Sequence, residues 1–187
     1  MKHARSVVLA AVIGLPVAGW VTSHTSQKSL DVVQSNVHLG HTDSALIAKV
    51  REATEPFRDV RNAPAGYGPA LGCVSGPEAG AMGVHFINGE LVGDDVVEAE
   101  HPEALIYEFK NGGARLVGVE YIVLSDLWHA KHPLNEPPVL EGQLMHFNDT
   151  PNRFGLPAFY ELHVWAWQDN PNGAFVDWNT KVSCEGQ

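Results

Sequence analysis

Residues 158–168, AFYELHVWAWQ, decide how the rest of the chain is organised. Read at a period of two, one face carries Glu161, His163, Trp165 and Trp167, and the other carries Tyr160, Leu162, Val164 and Ala166. Alternating aromatic and β-branched residues predict a β-strand whose two faces are both buried. A buried glutamate costs several kcal/mol unless it is paired, hydrogen-bonded or bound to a metal. The stretch therefore predicts either a functional site or a well-satisfied polar core.

Other polar side chains interrupt apolar stretches in the same way. His85 lies in GVHFI, Glu120 in LVGVEYIVL and His146 in LMHF. Imidazoles and carboxylates from separate strands are the usual ligands of Zn²⁺, Fe²⁺, Mn²⁺ or Cu²⁺. We predict that His85, Glu120 and His163 bind one divalent metal ion, with Glu161 or His146 as a further ligand. The alternative is a core in which each polar group has its own protein partner.

Three further residues receive roles in this prediction. Glu161 is expected to orient a ligand or to act as the general base, which makes it the candidate catalytic residue. Arg153, in the turn PNRFG, could receive an anionic substrate group, and Trp165 could line a substrate pocket, although core packing is the alternative for both. A metalloenzyme acting on a small molecule and a non-catalytic ligand-binding or structural domain both remain open. No serine-nucleophile, P-loop or dinucleotide motif indicates another enzyme class.

The remaining periodicity predicts an α+β fold. A helix begins near Ser44 and carries an apolar stripe, and Pro56 should kink it or restart it. Strands are expected at 82–88, 104–110, 114–124, 143–148, 158–168 and 174–178, with a hairpin turn at residues 111–113. We expect the N-terminal helix to pack on a mostly antiparallel sheet, or partly closed barrel, of five to six strands. Residues 125–142 are predicted to be a long loop over the site.

The N-terminus is typical of an exported protein. Residues 1–23 begin with Lys2 and Arg5, continue with a short apolar run and predict a signal peptide cleaved after Gly19 or Ser23; an uncleaved anchor is the alternative. Residues 24–43 are predicted to be a flexible arm and 44–187 a single domain. We expect a periplasmic or secreted protein without a membrane span after cleavage. The net charge of −10 argues against nucleic acid and anionic membranes as partners, and the oligomeric state is not predicted.

The chain contains two cysteines, Cys73 and Cys184. In an oxidising compartment an isolated pair is most simply one disulfide. Two free thiols that bind metal are the alternative.

Four motifs, GAMGVHF, LVGVEYIV, FYELHVWAW and DWNTKVSC, resemble an uncharacterised family of small exported bacterial proteins. The resemblance implies export and brings no activity with it. The histidines and glutamate on strands are also similar to the metal site of cupins, which uses His-x-His, a glutamate and a later histidine. Here the paired motif comes last and reads Glu161-x-His163, with the single His85 first.

Overall fold

A computed structural model describes residues 44–76, 78–132 and 136–186. The signal peptide and the arm predicted for residues 1–43 lie outside these ranges. The helices are α1 (Ala45–Thr54), α2 (Gly89–Val92) and α3 (Ser125–Lys131), with 3-10 turns at Glu55–Phe57 and Val60–Asn62. The strands are β1 (Tyr67–Pro69), β2 (Val74–Gly76), β3 (Gly80–Asn88), β4 (Ala104–Lys110), β5 (Gly113–Leu124), β6 (Val139–Leu140), β7 (Gln143–Leu144), β8 (His146–Asn148) and β9 (Phe159–Val164). Within the described ranges, no helix is long and apolar enough to span a membrane.

The strands form an open antiparallel sheet in the order β1-β3-β4-β5-β9-β8, with β2 also paired to β3. The α+β prediction is confirmed. The alternative of a partly closed barrel is wrong, and the sheet has seven strands instead of five or six. The additional strands are short segments such as β1 and β2, whose three residues are too few to show a periodic pattern.

One face of the sheet, which we call the helix face, packs against α1. Leu46, Ile47 and Val50 of the helix are buried in one cluster with Tyr121 of β5 and Leu162 of β9. The helix ends at Thr54 and the chain continues as a 3-10 turn that contains Pro56. Proline lacks the N–H that a continuing helix needs, so the predicted interruption is confirmed.

Helix α3 and the small β6–β7 hairpin also belong to the helix face. Trp128 and Leu140 pack with the same core as α1, and Nε2 of His129 lies 3.0 Å from the hydroxyl of Tyr160. The described part of 125–142 is therefore not a lid over Glu120 and His163, whose side chains point to the opposite face. That prediction is wrong because the loop's apolar residues complete the core under α1.

The predicted hairpin fixes the position of Glu120 along β5. It turns at Asn111 and Gly112, which have φ of 53° and 75°, and positive φ at both positions is typical of a type I′ turn. The resulting register places Ala104 of β4 opposite Glu120 and Ile106 opposite Gly118. The prediction of a β4–β5 hairpin is confirmed.

The disulfide between Cys73 and Cys184 is present, with 5.5 Å between the Cα atoms. Both cysteines pack with Ile106, Val117 and Trp165 on the face opposite α1, which we call the site face. The bridge therefore ties the C-terminal segment across the site face. The strand predicted at 174–178 is absent, and these residues form turns instead.

Candidate metal centre

Three strands bring the predicted ligands together on the site face. Glu120 of β5 lies directly opposite His163 of β9, so their side chains leave the sheet on the same side. His85 lies on β3, with β4 between it and β5. Across β4 the neighbour of Glu120 is Ala104. Its methyl side chain leaves room for the side chains of β3 and β5 to meet above β4.

The ligand atoms are close enough to share one ion. Nε2 of His85 lies 3.2 Å from Oε2 of Glu120 and 3.3 Å from Nε2 of His163. His85, Glu120 and His163 each offer an atom within 4.8 Å of the others, and their exposed fractions are 5%, 5% and 1%. The predicted convergence of these three side chains is confirmed; the ion itself stays a prediction.

Two more carboxylates border this cluster. Glu161 is buried, and its carboxyl lies close enough to that of Glu120 to raise the pKa of Glu120. Oδ1 of Asp177 lies 3.7 Å from Nδ1 of His163. Glu161, His163 and Asp177 form a second group of possible ligands within 4.8 Å. The centre thus combines two histidines with three carboxylates.

Asp177 is the site residue that the sequence analysis missed. It lies in the turns that follow Ala174, and these are held by hydrogen bonds from Trp165, whose main-chain N–H donates to the carbonyl of Ala174 and whose indole donates to that of Val176. The available signal was an acidic residue between Val176 and Trp178, in the motif DWNTKVSC. The sequence analysis predicted a strand across 174–178 instead, and so gave Asp177 no role.

Burial controls the protonation of these groups. It lowers the pKa of His85 to about 4 and holds the pKa of His163 well below its usual value. Both rings are therefore neutral near pH 7 and have a lone pair available for a metal. Burial, and next the adjacent carboxyl of Glu161, hold the pKa of Glu120 well above its ordinary value. The pKa of Asp177 is raised by burial and by the charge of Glu161.

Not every polar atom in the centre has a protein partner. Nδ1 of His163 and Oε2 of Glu161 are buried without a hydrogen bond, and Ser183 Oγ is the other such side-chain atom in the described ranges. Leaving a buried donor or acceptor unpaired costs about 1–3 kcal/mol. Two such atoms in one centre favour an additional partner over a self-sufficient polar core.

A small cavity adjoins His85 and Glu120. Its volume is about 30 Å³, and apolar side chains including Ile87, Phe154 and Phe159 line the remainder. A space of that size holds a water molecule or something similarly small. A larger cleft, of about 670 Å³, is lined by residues such as Lys49, Tyr67 and His101 and includes none of the predicted site residues.

His146 and Arg153 lie further out. The His146 side chain is 56% exposed, and its Nδ1 is 3.9 Å from Oδ1 of Asp177, at the rim of the centre. Arg153 is exposed, with its guanidinium 5.2 Å from the ring of Trp178. Contact of Arg153 with an anionic substrate stays a prediction.

The two tryptophans of the focal strand separate to opposite faces. Trp165 is buried and its ring stacks on that of His163 at 6.2 Å, so it supports the ligand and does not line the small cavity. Trp167 instead donates its indole N–H to Thr54 at the end of α1. Its predicted alignment with His163 is wrong, because β9 ends at Val164 and a tight turn follows, in which the N–H of Ala166 donates to the carbonyl of Val164.

The comparisons with known proteins give no match, whether to protein-family models, to curated proteins or to solved structures. The resemblance to a family of exported bacterial proteins therefore stays a prediction, and the case for function rests on the geometry of the centre.

Proposed function

We propose that this chain is an exported metal-binding protein in which His85, Glu120 and His163 ligate one divalent ion. The observation that carries the proposal is the convergence of these three side chains from separate strands, beside two buried polar atoms that lack a protein partner. Two imidazoles and one carboxylate are a common ligand set for Zn²⁺ and Fe²⁺ that leaves coordination positions open. Mn²⁺ and Cu²⁺ also fit nitrogen and oxygen ligands of this kind.

Charge supports the same conclusion. Neutral histidines bind metal without first losing a proton, and burial keeps His85 and His163 neutral. Burial and the adjacent carboxyl of Glu161 hold the pKa of Glu120 well above its ordinary value, so Glu120 keeps its proton in the absence of a cation. A divalent cation supplies a compensating positive charge and allows Glu120 to ionise. The charges of the centre thus favour a bound cation over a polar core without one.

The cavity points to a small ligand or substrate. Its volume of about 30 Å³ and its apolar lining leave room beside His85 and Glu120 for a molecule no larger than a few atoms. A divalent ion here would polarise a bound water or a carbonyl, and Glu161, in contact with Glu120, would serve as general base. This arrangement favours a metalloenzyme that acts on a small molecule over a closed structural site.

Export is part of the proposal. The disulfide is compatible with an oxidising compartment, where such bridges persist. Together with the signal peptide predicted at residues 1–23, it supports a periplasmic or secreted protein.

Elemental analysis of protein prepared without an affinity tag tests the metal. We expect at least one divalent ion per chain in the wild type, and loss of most of it in His163→Ala. His101→Ala is the matched control, because that histidine is exposed and forms an ion pair with Glu98. Because His163→Ala could fail to fold, Glu120→Gln and the absorption spectrum of the Co²⁺-loaded wild type provide independent readouts. Wild-type protein that binds no ion would leave the satisfied polar core as the better explanation.

A further inference from the structure

The imidazole of His163 has a polar environment at both nitrogens. Nε2 faces His85 at 3.3 Å and belongs to the three-ligand cluster. Nδ1, on the other side of the ring, has no hydrogen-bond partner although the residue is only 1% exposed. Its nearest charged neighbours are Asp177 Oδ1 at 3.7 Å and Glu120 Oε1 at 3.9 Å. An ion bound at Nε2 leaves Nδ1 still unsatisfied.

The groups around Nδ1 have the spacing of metal ligands. His163, Glu161 and Asp177 offer atoms within 4.8 Å of one another. Two ligands with bonds of ~2.0–2.2 Å to one ion lie up to ~4.4 Å apart, so small rotations of these side chains are sufficient. Oε2 of Glu161 is the second buried atom without a partner in this centre. One cation beside Nδ1 would satisfy both atoms.

This outer position is also more accessible than the inner one. The Asp177 side chain is 33% exposed, and His146 stands beside it at the rim. By contrast, His85 and Glu120 are almost fully buried. An ion could therefore reach the outer position from solvent without passing the inner ligands.

The balance of charge allows a second ion. Glu120, Glu161 and Asp177 together supply three negative charges when ionised, and one divalent ion leaves an excess of one negative charge in a buried centre. A second divalent ion changes the total to plus one, and loss of the ring proton of His163 to solvent brings it to zero. Buried charge is tolerated only when it is compensated in this way.

We propose that the centre holds two divalent cations on opposite nitrogens of His163: an inner ion with His85 and Glu120, and an outer ion at Nδ1 with Glu161 and Asp177. The inner ion rests on the function proposed above. Binding of the outer ion displaces the remaining N–H proton of the ring to solvent, so that His163 bridges the two ions as imidazolate. In this state Glu161 is a ligand and no longer a free base.

Counting ions in Asp177→Asn tests the proposal. Full-length protein prepared without a tag is dialysed against Zn²⁺ and analysed for zinc, with Asp126→Asn as the control because Asp126 is exposed on α3, away from the site face. We expect two ions per chain in the wild type and the control, and one in Asp177→Asn. With Cu²⁺, two ions bridged by the His163 ring should couple magnetically. The electron paramagnetic resonance intensity per copper should therefore be lower in the wild type than in Asp177→Asn.

The alternative outcomes are distinct. One ion in the wild type, bound more weakly in Asp177→Asn, would mean that Asp177 only orients His163, and would overturn the outer position while leaving the proposed function intact. Two ions in both proteins would place the second ion elsewhere and overturn this inference. No ion in either protein would overturn the proposed function as well.

Discussion

Replacing Glu103 with glutamine is expected to change how the free energy of unfolding depends on pH. The Glu103 side chain is 1% exposed and accepts a hydrogen bond from the N–H of Ile122, two residues after Glu120 on β5. Burial raises its pKa from 4.5 to about 8. Glutamine has the shape of the protonated acid and keeps an oxygen acceptor for Ile122, so it mimics the neutral form at every pH.

The size and sign of the effect follow from that pKa. Between pH 4.5 and pH 8 the folded protein keeps a proton on Glu103 that the unfolded chain has released. The contribution of Glu103 to stability is therefore complete below pH 4.5 and is lost as the pH rises toward 8, by about 1.4 kcal/mol per pH unit. Across this window the wild type should lose about 3–5 kcal/mol relative to Glu103→Gln. Above pH 8 the difference should become constant.

Urea unfolding between pH 5 and pH 9, in the presence of a chelator, measures this difference. The buried histidines are neutral in the folded protein and gain protons on unfolding at the acidic end of this range, but they are common to both proteins and cancel in the comparison. Glu52→Gln is the control, because Glu52 is exposed on α1 and its substitution should give a curve parallel to the wild type. If the wild type and Glu103→Gln gave parallel curves, Glu103 would be ionised in the folded protein and the reasoning would be refuted.

Two further changes test the framework around the centre. Reduction of the Cys73–Cys184 bridge, which joins residues 111 apart, should lower the free energy of unfolding by about 4–5 kcal/mol because the unfolded chain gains entropy. Urea unfolding with and without reductant measures this loss. A loss below about 1 kcal/mol would contradict the prediction. Gly118→Ala should cost about 1–3 kcal/mol and weaken metal binding, because its Cβ would lie 2.8 Å from a carbonyl oxygen of β9. Gly113→Ala is the control, because the nearest atom to its added Cβ would lie 3.8 Å away. If Gly113→Ala lost as much stability and metal affinity as Gly118→Ala, the steric explanation would be wrong.

Several features of the centre were predictable from residues close together in the chain. The alternation in residues 158–168 identified His163 and Glu161 as inward-facing on a buried strand, because side chains on a strand point to alternate faces. The turn at Asn111 and Gly112 fixed the hairpin, since both residues tolerate positive φ. Polar residues inside apolar strands identified His85 and Glu120, because burial demands a partner for each.

The sequence by itself therefore determined the α+β class, the disulfide pair and the three buried polar side chains that converge, since each depends on local periodicity or on a simple count of residue types. Only the tertiary structure decided which irregular segments meet those side chains. Asp177 comes beside His163 because the disulfide and the hydrogen bonds of Trp165 hold a segment that has no repeating pattern of its own. The described residues 125–132 and 136–142 lie on the helix face because apolar side chains such as Trp128 and Leu140 complete its core. Such long-range contacts depend on how separate elements pack, and no pattern confined to one element encodes them.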